Sequence, residues 1–344
     1  MISNGPTRRL ALSAIIVSMI QNQSKKPLVS VIMATYNDER YVESTVKSVL
    51  VQTFSDFEYV IVNDGSTDDT LKILKKLAHL DSRITIIDQK NQGVVTSRNN
   101  AIKHAQGKYI AIIDGDDQWI PQKLEWQIAE LETNSKLSLI GGGLEMVSED
   151  DIPLGFTCFT PDDQAIRYGM CISNQFIHSS VVYRREDALK IGLYPDTCPV
   201  EDYDFLSQIT KLGTVKNLPF PVVRYRINSA GISSQTREAQ AKLGNDISLQ
   251  NWDAIEPSVI SRGAIMENSL RYLRNPISSG FGVEIKHSYL FNMTRVGYRM
   301  INKGALIAGL RLLWNVASTG RTGLSIVTHW AKHIIDVKLK RTAA

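Results

Sequence analysis

From Pro27 to Asp117 the chain alternates short apolar, β-branched runs with stretches of helical spacing, and this alternation restricts the fold more than any other feature. Val29-Ser30-Val31-Ile32-Met33-Ala34 reads as a buried strand. Glu39 to Gln52 follows with Val42, Val46, Val49 and Leu50 at helical intervals. Tyr59-Val60-Ile61-Val62 is a second strand, ending in Asn63-Asp64-Gly65-Ser66. Thr67 or Asp68 can cap the next helix, which carries Leu71, Leu74 and Leu77 on one face. Ile84 to Ile87 is a third strand, Val94 to Ala105 a third helix, and Tyr109-Ile110-Ala111-Ile112-Ile113 a fourth strand that runs into Asp114-Gly115-Asp116-Asp117. Alternation at these spacings calls for right-handed crossovers and an α/β fold whose mostly parallel sheet is covered on both faces. Ligands in such sheets bind beyond the carboxyl ends of the strands. Thr35-Tyr36-Asn37, Asp64-Gly65-Ser66 and Asp114-Gly115-Asp116-Asp117 all stand at strand ends and should converge in one crevice.

After Trp119 the pattern is less regular. Leu124–Leu131 looks helical, Leu137–Ile140 and His178–Tyr183 look like strands, Glu201–Leu212 reads as a helix and Val215–Tyr225 as strand-rich. Beyond about Gln235 helical patterns dominate, with Leu324, Val327, Ala331 and Ile334 at 3-4-3 spacing. The division expected is an N-terminal extension over 1–26, a catalytic domain over 27–235 (a nucleotide-binding half to 120, an acceptor half after it) and a helical basic region over 236–344. Arg8 and Arg9 before the apolar stretch Leu10–Ile20 resemble the start of a signal peptide, but no small-residue cleavage site follows. Met19 is an alternative start, which would make residues 1–18 an upstream extension. No apolar run reaches the ~18 residues of a spanning helix. Three widely spaced cysteines, Cys158, Cys171 and Cys198, form neither a disulfide framework nor a zinc pattern and suit a reducing, cytoplasmic compartment.

The net charge of +4 is unevenly spread. Ile285–Ala344 holds ten Lys or Arg and one acid, so a +9 tail follows a body of −5. Such a tail suits an anionic partner, either a membrane or a nucleic acid. No nucleic-acid motif accompanies it and the body is acidic, so no nucleic-acid partner is expected. Trp314 and Trp330 fit an interfacial amphipathic helix, with a cap packed on the body or a dimer contact as the alternatives.

The aspartate cluster after the fourth strand is the strongest chemical signal. Carboxylates one and three residues past a strand end suit a hard cation, Mg²⁺ or Mn²⁺, against the bland alternative of a solvated acidic turn. An EF-hand count from Asp114 to Glu125 fails, because Trp119 stands where that loop needs glycine and a strand precedes it. Asp64 alone is an ordinary Asp-Gly turn residue. Arg98, near a helix start, suits a phosphate contact, a bond that orients Asp64, or a surface ion pair.

Taken together, Val31 to Asn37, Val62 to Asp68, Gly93 through Arg98-Asn99, and Ile113 to Asp117 resemble the family 2 glycosyltransferases in order and spacing. The resemblance is strong over 28–120, moderate to 235 and absent beyond. Ala34 departs from it, since many relatives have proline there. The resemblance implies a GT-A fold, a mostly parallel mixed sheet covered by helices with a C-terminal helical extension, and an inverting enzyme that uses a nucleotide-sugar, with UDP the expected nucleotide. It implies that Thr35, Tyr36, Asn37 and Asp64 hold base and ribose, that Arg98 supports base or diphosphate, and that Asp114, Gly115 and Asp116 bind ribose and metal-diphosphate. Asp116 and Asp114 are the implied metal ligands, with Asp117 an alternative. Val200-Glu201-Asp202-Tyr203-Asp204-Phe205 looks like the catalytic-base segment, Asp202 first and Glu201 second; acids favoured by a helix dipole are the alternative. Arg226, in Tyr225 to Ser233, stands where relatives have a mobile segment that closes over the diphosphate; an ordinary surface arginine is the other reading. His178 and Trp119 are weaker candidates for acceptor contact and sugar-site wall, and acceptor recognition is placed between Leu139 and Tyr183. The expected activity is hexosyl or N-acetylhexosaminyl transfer to a glycan or lipid-linked acceptor in surface polysaccharide synthesis, at the cytoplasmic face of the inner membrane. The rivals are a sugar-1-phosphate nucleotidyltransferase, which lacks its glycine-rich basic loop here, and a non-catalytic sugar-nucleotide or glycan binder.

Overall fold

The computed structural model describes residues 26–170, 173–228 and scattered positions between 236 and 251. Strands β1 (Val29–Thr35), β2 (Phe57–Asn63), β3 (Ile84–Asp88) and β4 (Tyr109–Ile112) alternate with helices α1 (Val42–Leu50), α2 (Thr70–Leu80) and α3 (Val94–His104). There follow β5 (Gln118–Trp119), α4 (Lys123–Thr133), β6 (Leu137–Val147), β7 (Pro153–Thr157), α5 (Asp163–Met170), a 3₁₀ turn (His178–Ser180), β8 (Val182–Arg184), α6 (Arg185–Lys190), α7 (Glu201–Ile209) and β9 (Thr214–Arg226). One sheet runs in the order β3-β2-β1-β4-β8-β6-β9-β5, with β7 on β6. The first four strands are parallel, as are β6 and β9, while β5, β7 and β8 run against their neighbours.

The strands read as continuous apolar runs because both faces are buried. Val29, Val31 and Met33 of β1 join Tyr59 and Ile61 on one face, under Val42, Val46 and Val49 of α1 and Leu74 and Leu77 of α2. Ile32, Val60 and Val62 point to the other, against Ala101 and Ile102 of α3 and Phe205, Leu206 and Ile209 of α7. Leu243 and Ile247, beyond the expected boundary at 235, also pack on this second cluster, and Asn251 donates to Ser207 Oγ (2.8 Å). Apart from these positions, the expected 236–344 region and residues 1–25 lie outside the described residues, and so does the basic tail.

Three elements differ from the sequence expectation. His178–Tyr183 is not one strand: His178–Ser180 curls into the 3₁₀ turn, because Ser180 Oγ bonds back to Ile177 O (2.7 Å) and Ser179 turns toward Asp114 and Asp117. β6 continues well past Ile140, where the expected strand stops, through Gly141-Gly142-Gly143. A Cβ at Gly142 would lie 2.7 Å from Val222 Cγ2 and one at Gly143 2.3 Å from Cys158 Sγ, so close packing and not a turn accounts for these glycines. α7 stops at Ile209, short of Leu212. No described helix is long and apolar enough to cross a membrane.

Lys123 is fully buried in α4, its Nζ 4.0 Å from the centroid of the Trp119 ring and bonded to Gln127 Oε1 (2.8 Å). Burial holds its pKa well below the ordinary lysine value. The unfolded chain therefore binds a proton that the folded one does not, and stability rises with pH from the depressed value up to the unfolded lysine value of about 10.4. Thermal melts from pH 7 to 10 should show this rise, and Lys123→Met should flatten it; an unchanged slope would show that Lys123 is charged in the folded protein.

Candidate active site

Parallel pairing sets the three strand-end clusters side by side: Thr35 is in register with Asn63, and Ile32 with Ile112. The first loop is tied to the second through Asn37, which adopts φ 57°; its N–H donates to Ser66 Oγ (3.0 Å) and its Oδ1 accepts from Thr67 N (2.8 Å). Tyr36 is left 47% exposed. The second loop is tied to α3 by Asp64, whose carboxylate accepts from Gln92 N (2.9 Å), Gly93 N (2.9 Å) and Gln89 Nε2 (2.8 Å). Gly65 lies at φ +75°, and a Cβ there would meet Asn91 N at 2.7 Å, so this turn needs glycine.

At the third cluster the carboxylates have different surroundings. Asp117 is wholly buried, accepting from Ser179 Oγ (2.5 Å) and Arg226 N (2.9 Å). Burial and the charges of Asp116 and Asp114 raise its pKa well above the ordinary range. Asp114 accepts from Arg98 Nη2 (2.9 Å), with Ser179 Oγ at 3.1 Å and His178 Nδ1 at 3.3 Å. Burial alone would raise its pKa, but His178 and Arg98 outweigh burial and hold it far below the usual value. Asp116 receives one weaker bond, from Asn228 Nδ2 (3.2 Å), and burial with the Asp114 charge raises its pKa.

Arg98 joins this cluster to α7. Only 8% exposed, it bonds Glu201 Oε1 (2.6 Å) through Nη1 and Asp114 through Nη2. Burial works against its charge, and the two carboxylates more than compensate. Asp202, next to Glu201, accepts from Asn174 Nδ2 (3.1 Å) and from the N–H of Tyr203 (2.7 Å). Burial, with Glu201 adding, raises its carboxyl above the ordinary range. A cavity of about 380 Å³ opens beside α3, lined by Gln92–Thr96, Asn99, Tyr194, Asp196 and Cys198.

Residues 30–150 match the model of Glycosyl transferase family 2. The chain is 33% identical over 268 residues to the Escherichia coli UDP-Glc:alpha-D-GlcNAc-diphosphoundecaprenol beta-1,3-glucosyltransferase WfgD, covering 76% of this chain and 96% of that one. This chain belongs to glycosyltransferase family 2. Solved structures agree at the level of fold: S. aureus TarS residues 1–349 superimpose with TM-score 0.55 at 18% identity, covering 90% of this chain and 92% of that one. A Pyrobaculum calidifontis mannosyltransferase in complex with GDP-Man and Mn²⁺ gives TM-score 0.50 at 16% identity, covering 91% and 81%. The mixed sheet is the GT-A arrangement.

Several residues of this glycosyltransferase stand where the sequence does not foresee. Arg98 does not reach Asp64; it bridges Asp114 and Glu201, and backbone amides orient Asp64 instead. Asp117, the alternative metal ligand of the sequence reading, has both oxygens hydrogen-bonded and no exposed surface. Arg226 closes β9 and does not lie on a free segment: its guanidinium is bonded to Asp116 O, Ser148 O, Glu149 O and Asp151 Oδ1. It clamps the hairpin tip onto the Asp116 turn, while Arg40 pairs with Glu149 (3.1 Å) and Asp150 (2.7 Å). Trp119 is a core residue whose Nε1–H donates to Ser179 O (2.8 Å). His178 is buried between Asp114 and Tyr194 OH (2.9 Å). The sequence reading singles out none of Ser179, Tyr194, Asn174 and Asn228: Asn174 and Ser179 fall in the stretch assigned to the acceptor and Asn228 in the Tyr225–Ser233 segment, but none carries a local signal of its own.

Among the described residues no group of three or more His, Cys, Asp or Glu is arranged as a closed metal site. Mg²⁺ and Mn²⁺ do not need one, since one or two carboxylates complete their shell with phosphate oxygens and water. Asp116, part-exposed, with one weak partner and a raised pKa, fits such a cation best.

Replacing Arg98 by Met would leave a buried Glu201 and a part-buried Asp114 with no guanidinium between them. Urea unfolding should show a loss of about 3–5 kcal/mol. Arg98→Lys should recover only part of it, because a single ammonium cannot span both carboxylates as the fork does. A loss below about 1 kcal/mol would mean that the bridge is not fully desolvated.

Proposed function

We propose that the protein is an inverting transferase that moves a sugar from a UDP-sugar to a hydroxyl of a lipid-linked saccharide or glycan. The observation that carries this reading is the Arg98 bridge, which holds the Asp114–Asp116 turn and the Glu201–Asp202 segment in one site. Donor and base must meet within a few ångströms for in-line displacement.

Glu201 is buried, with one oxygen bonded to Arg98, whereas Asp202 is part-exposed, so Asp202 is assigned to take the acceptor proton. As that proton moves to the Asp202 carboxylate, the acceptor oxygen forms a bond to the anomeric carbon and the bond to the diphosphate oxygen breaks on the opposite face. The anomeric centre inverts and the nucleoside diphosphate leaves. Asp116, with Asp114 beside it, would hold a divalent cation, Mn²⁺ or Mg²⁺, which when bound neutralises charge on the leaving diphosphate. Thr35, Tyr36 and Asp64 line the strand ends assigned to the nucleoside.

The Escherichia coli relative's name specifies UDP-Glc and a diphosphoundecaprenol acceptor, and TarS has been solved with UDP-GlcNAc. These support a UDP-hexose or UDP-N-acetylhexosamine donor and an acceptor carried on a lipid diphosphate, used in polysaccharide synthesis. Such an acceptor would place the reaction at the cytoplasmic face of the inner membrane, the surface to which the basic tail over 285–344 is suited.

Donor turnover across a panel of nucleotide-sugars, with Mn²⁺ and with EDTA, is the direct test. One donor should be turned over only with metal, and Asp116→Ala should abolish this; turnover unaffected by EDTA would remove the metal assignment. Asp202→Asn should lower kcat by about 10²–10⁴-fold while donor affinity changes little. A base must be ionised, and Asp202 is raised above the ordinary carboxylate value of about 3.9, so kcat should climb with pH through a limb above that value. If the limb persists in Asp202→Asn, another group is the base.

A further inference from the structure

Asp38 has a carboxylate in an unexpected place. It leads into α1, and its carbonyl accepts from Tyr41 N (2.9 Å) and Val42 N (2.9 Å). An aspartate at a helix entrance ordinarily turns its carboxylate onto the first amides of that helix. Here Oδ2 turns back instead, accepting from Thr35 Oγ1 (2.6 Å) and Tyr36 N (3.3 Å). The backbone enforces this, because Asp38 N–H is held by Thr70 Oγ1 (2.8 Å) at the start of α2.

The same oxygen is pressed against the metal-motif turn. A Cβ at Gly115 would lie 2.3 Å from Asp38 Oδ2, 3.0 Å from its Cγ and 3.2 Å from Thr35 Oγ1. Gly115 itself is pinned from the other side, its carbonyl accepting from Thr45 Oγ1 (2.9 Å). The glycine between Asp114 and Asp116 thus lies against the end of the Asp38 side chain, and a side chain there would have to displace that carboxylate. Asp38 lies in the field of both Asp116 and Asp114, and its Oδ1 takes no hydrogen bond from the described residues.

We propose that Asp38 is a third carboxylate of the donor site, one that sets the Asp114–Gly115–Asp116 turn against the nucleoside loop and adds its charge to the field that draws in a divalent cation. It is a positioning residue: it fixes Tyr36 and the turn together and makes the pocket more negative than Asp114 and Asp116 alone would. This rests on metal-dependent donor binding, the reading given above.

Two effects follow with opposite signs. Removing one negative charge from the field shared with Asp116 and Asp114 would weaken cation binding by about 3- to 10-fold in a partly solvated site. The same removal relieves repulsion of a diphosphate when no cation is present. Mn²⁺ binding to the protein–UDP complex, followed by electron paramagnetic resonance, and UDP binding in EDTA, followed by calorimetry, separate them. Asp38→Asn should raise the Mn²⁺ dissociation constant 3- to 10-fold and leave metal-free UDP binding equal or tighter.

Unchanged Mn²⁺ affinity would overturn the proposal. Equal weakening of Mn²⁺ and metal-free UDP binding would also overturn it, since it would mark a merely collapsed loop. A wild-type protein that binds no Mn²⁺–UDP at all would instead remove the functional reading beneath it. A thermal-melt cycle tests the geometry without any ligand: Gly115→Ala should lower Tm, and Asp38→Ala should restore part of the loss. A Gly115→Ala penalty of the same size in both backgrounds would show that the two do not touch.

Discussion

The buried guanidinium of Arg98 is the constraint around which the site is arranged. It sits between Asp114, at the end of the β4 strand, and Glu201, at the start of α7, some hundred residues further along the chain. A cation this deeply buried is stable only with its carboxylates in place, so the two segments are held in one relative position. The ring of Tyr194, 5.7 Å from the guanidinium carbon and stacked on Phe205, fills the remaining side. The bridge also divides the work among the acids. Glu201 and Asp114 each give an oxygen to Arg98, whereas Asp202 and Asp116 are part-exposed and make no bond to it.

Around this bridge the strand-end loops hold one another. Asn37 joins the first loop to the second, Asp64 joins the second to the start of α3, and Asp117 joins the third to Arg226 of β9. Arg226 in turn fastens the acidic hairpin tip at Glu149 and Asp151. Interlocking of this kind fixes donor-binding groups before a donor arrives, so less ordering is needed on binding. Polar side chains that look in sequence like ligand contacts serve here as the internal scaffold of the site.

The parallel half was legible because its signal is local. A strand buried on both faces must be continuously apolar, its crossover helix must show 3.6-residue spacing, and the polar residues after each strand must lie at one edge. Val29–Thr35, Phe57–Asn63 and Tyr109–Ile112 follow these rules closely. The acceptor half was less legible because its local signals mislead. The strand expected over Leu137–Ile140 runs on through Gly141-Gly142-Gly143, where Val222 and Cys158 leave no room for side chains. His178–Ser180 has strand-like composition but turns, since Ser179 is needed under Asp114 and Asp117.

What the sequence determined by itself was the order of elements and the strand-end position of Thr35, Asp64 and Asp114–Asp117. Each follows from contacts a few residues apart or from spacing within one crossover unit. What only the tertiary structure decided was the role of each charge: that Arg98 faces Glu201 and not Asp64, that Asp117 is sealed by Ser179 and Arg226, and that Asp38 bears on Gly115. Side-chain chemistry is carried by the residue, but the charge state and free lone pairs of a carboxylate depend on which neighbours come close. Those neighbours come from segments up to about a hundred residues away, brought together by sheet pairing that no local pattern encodes.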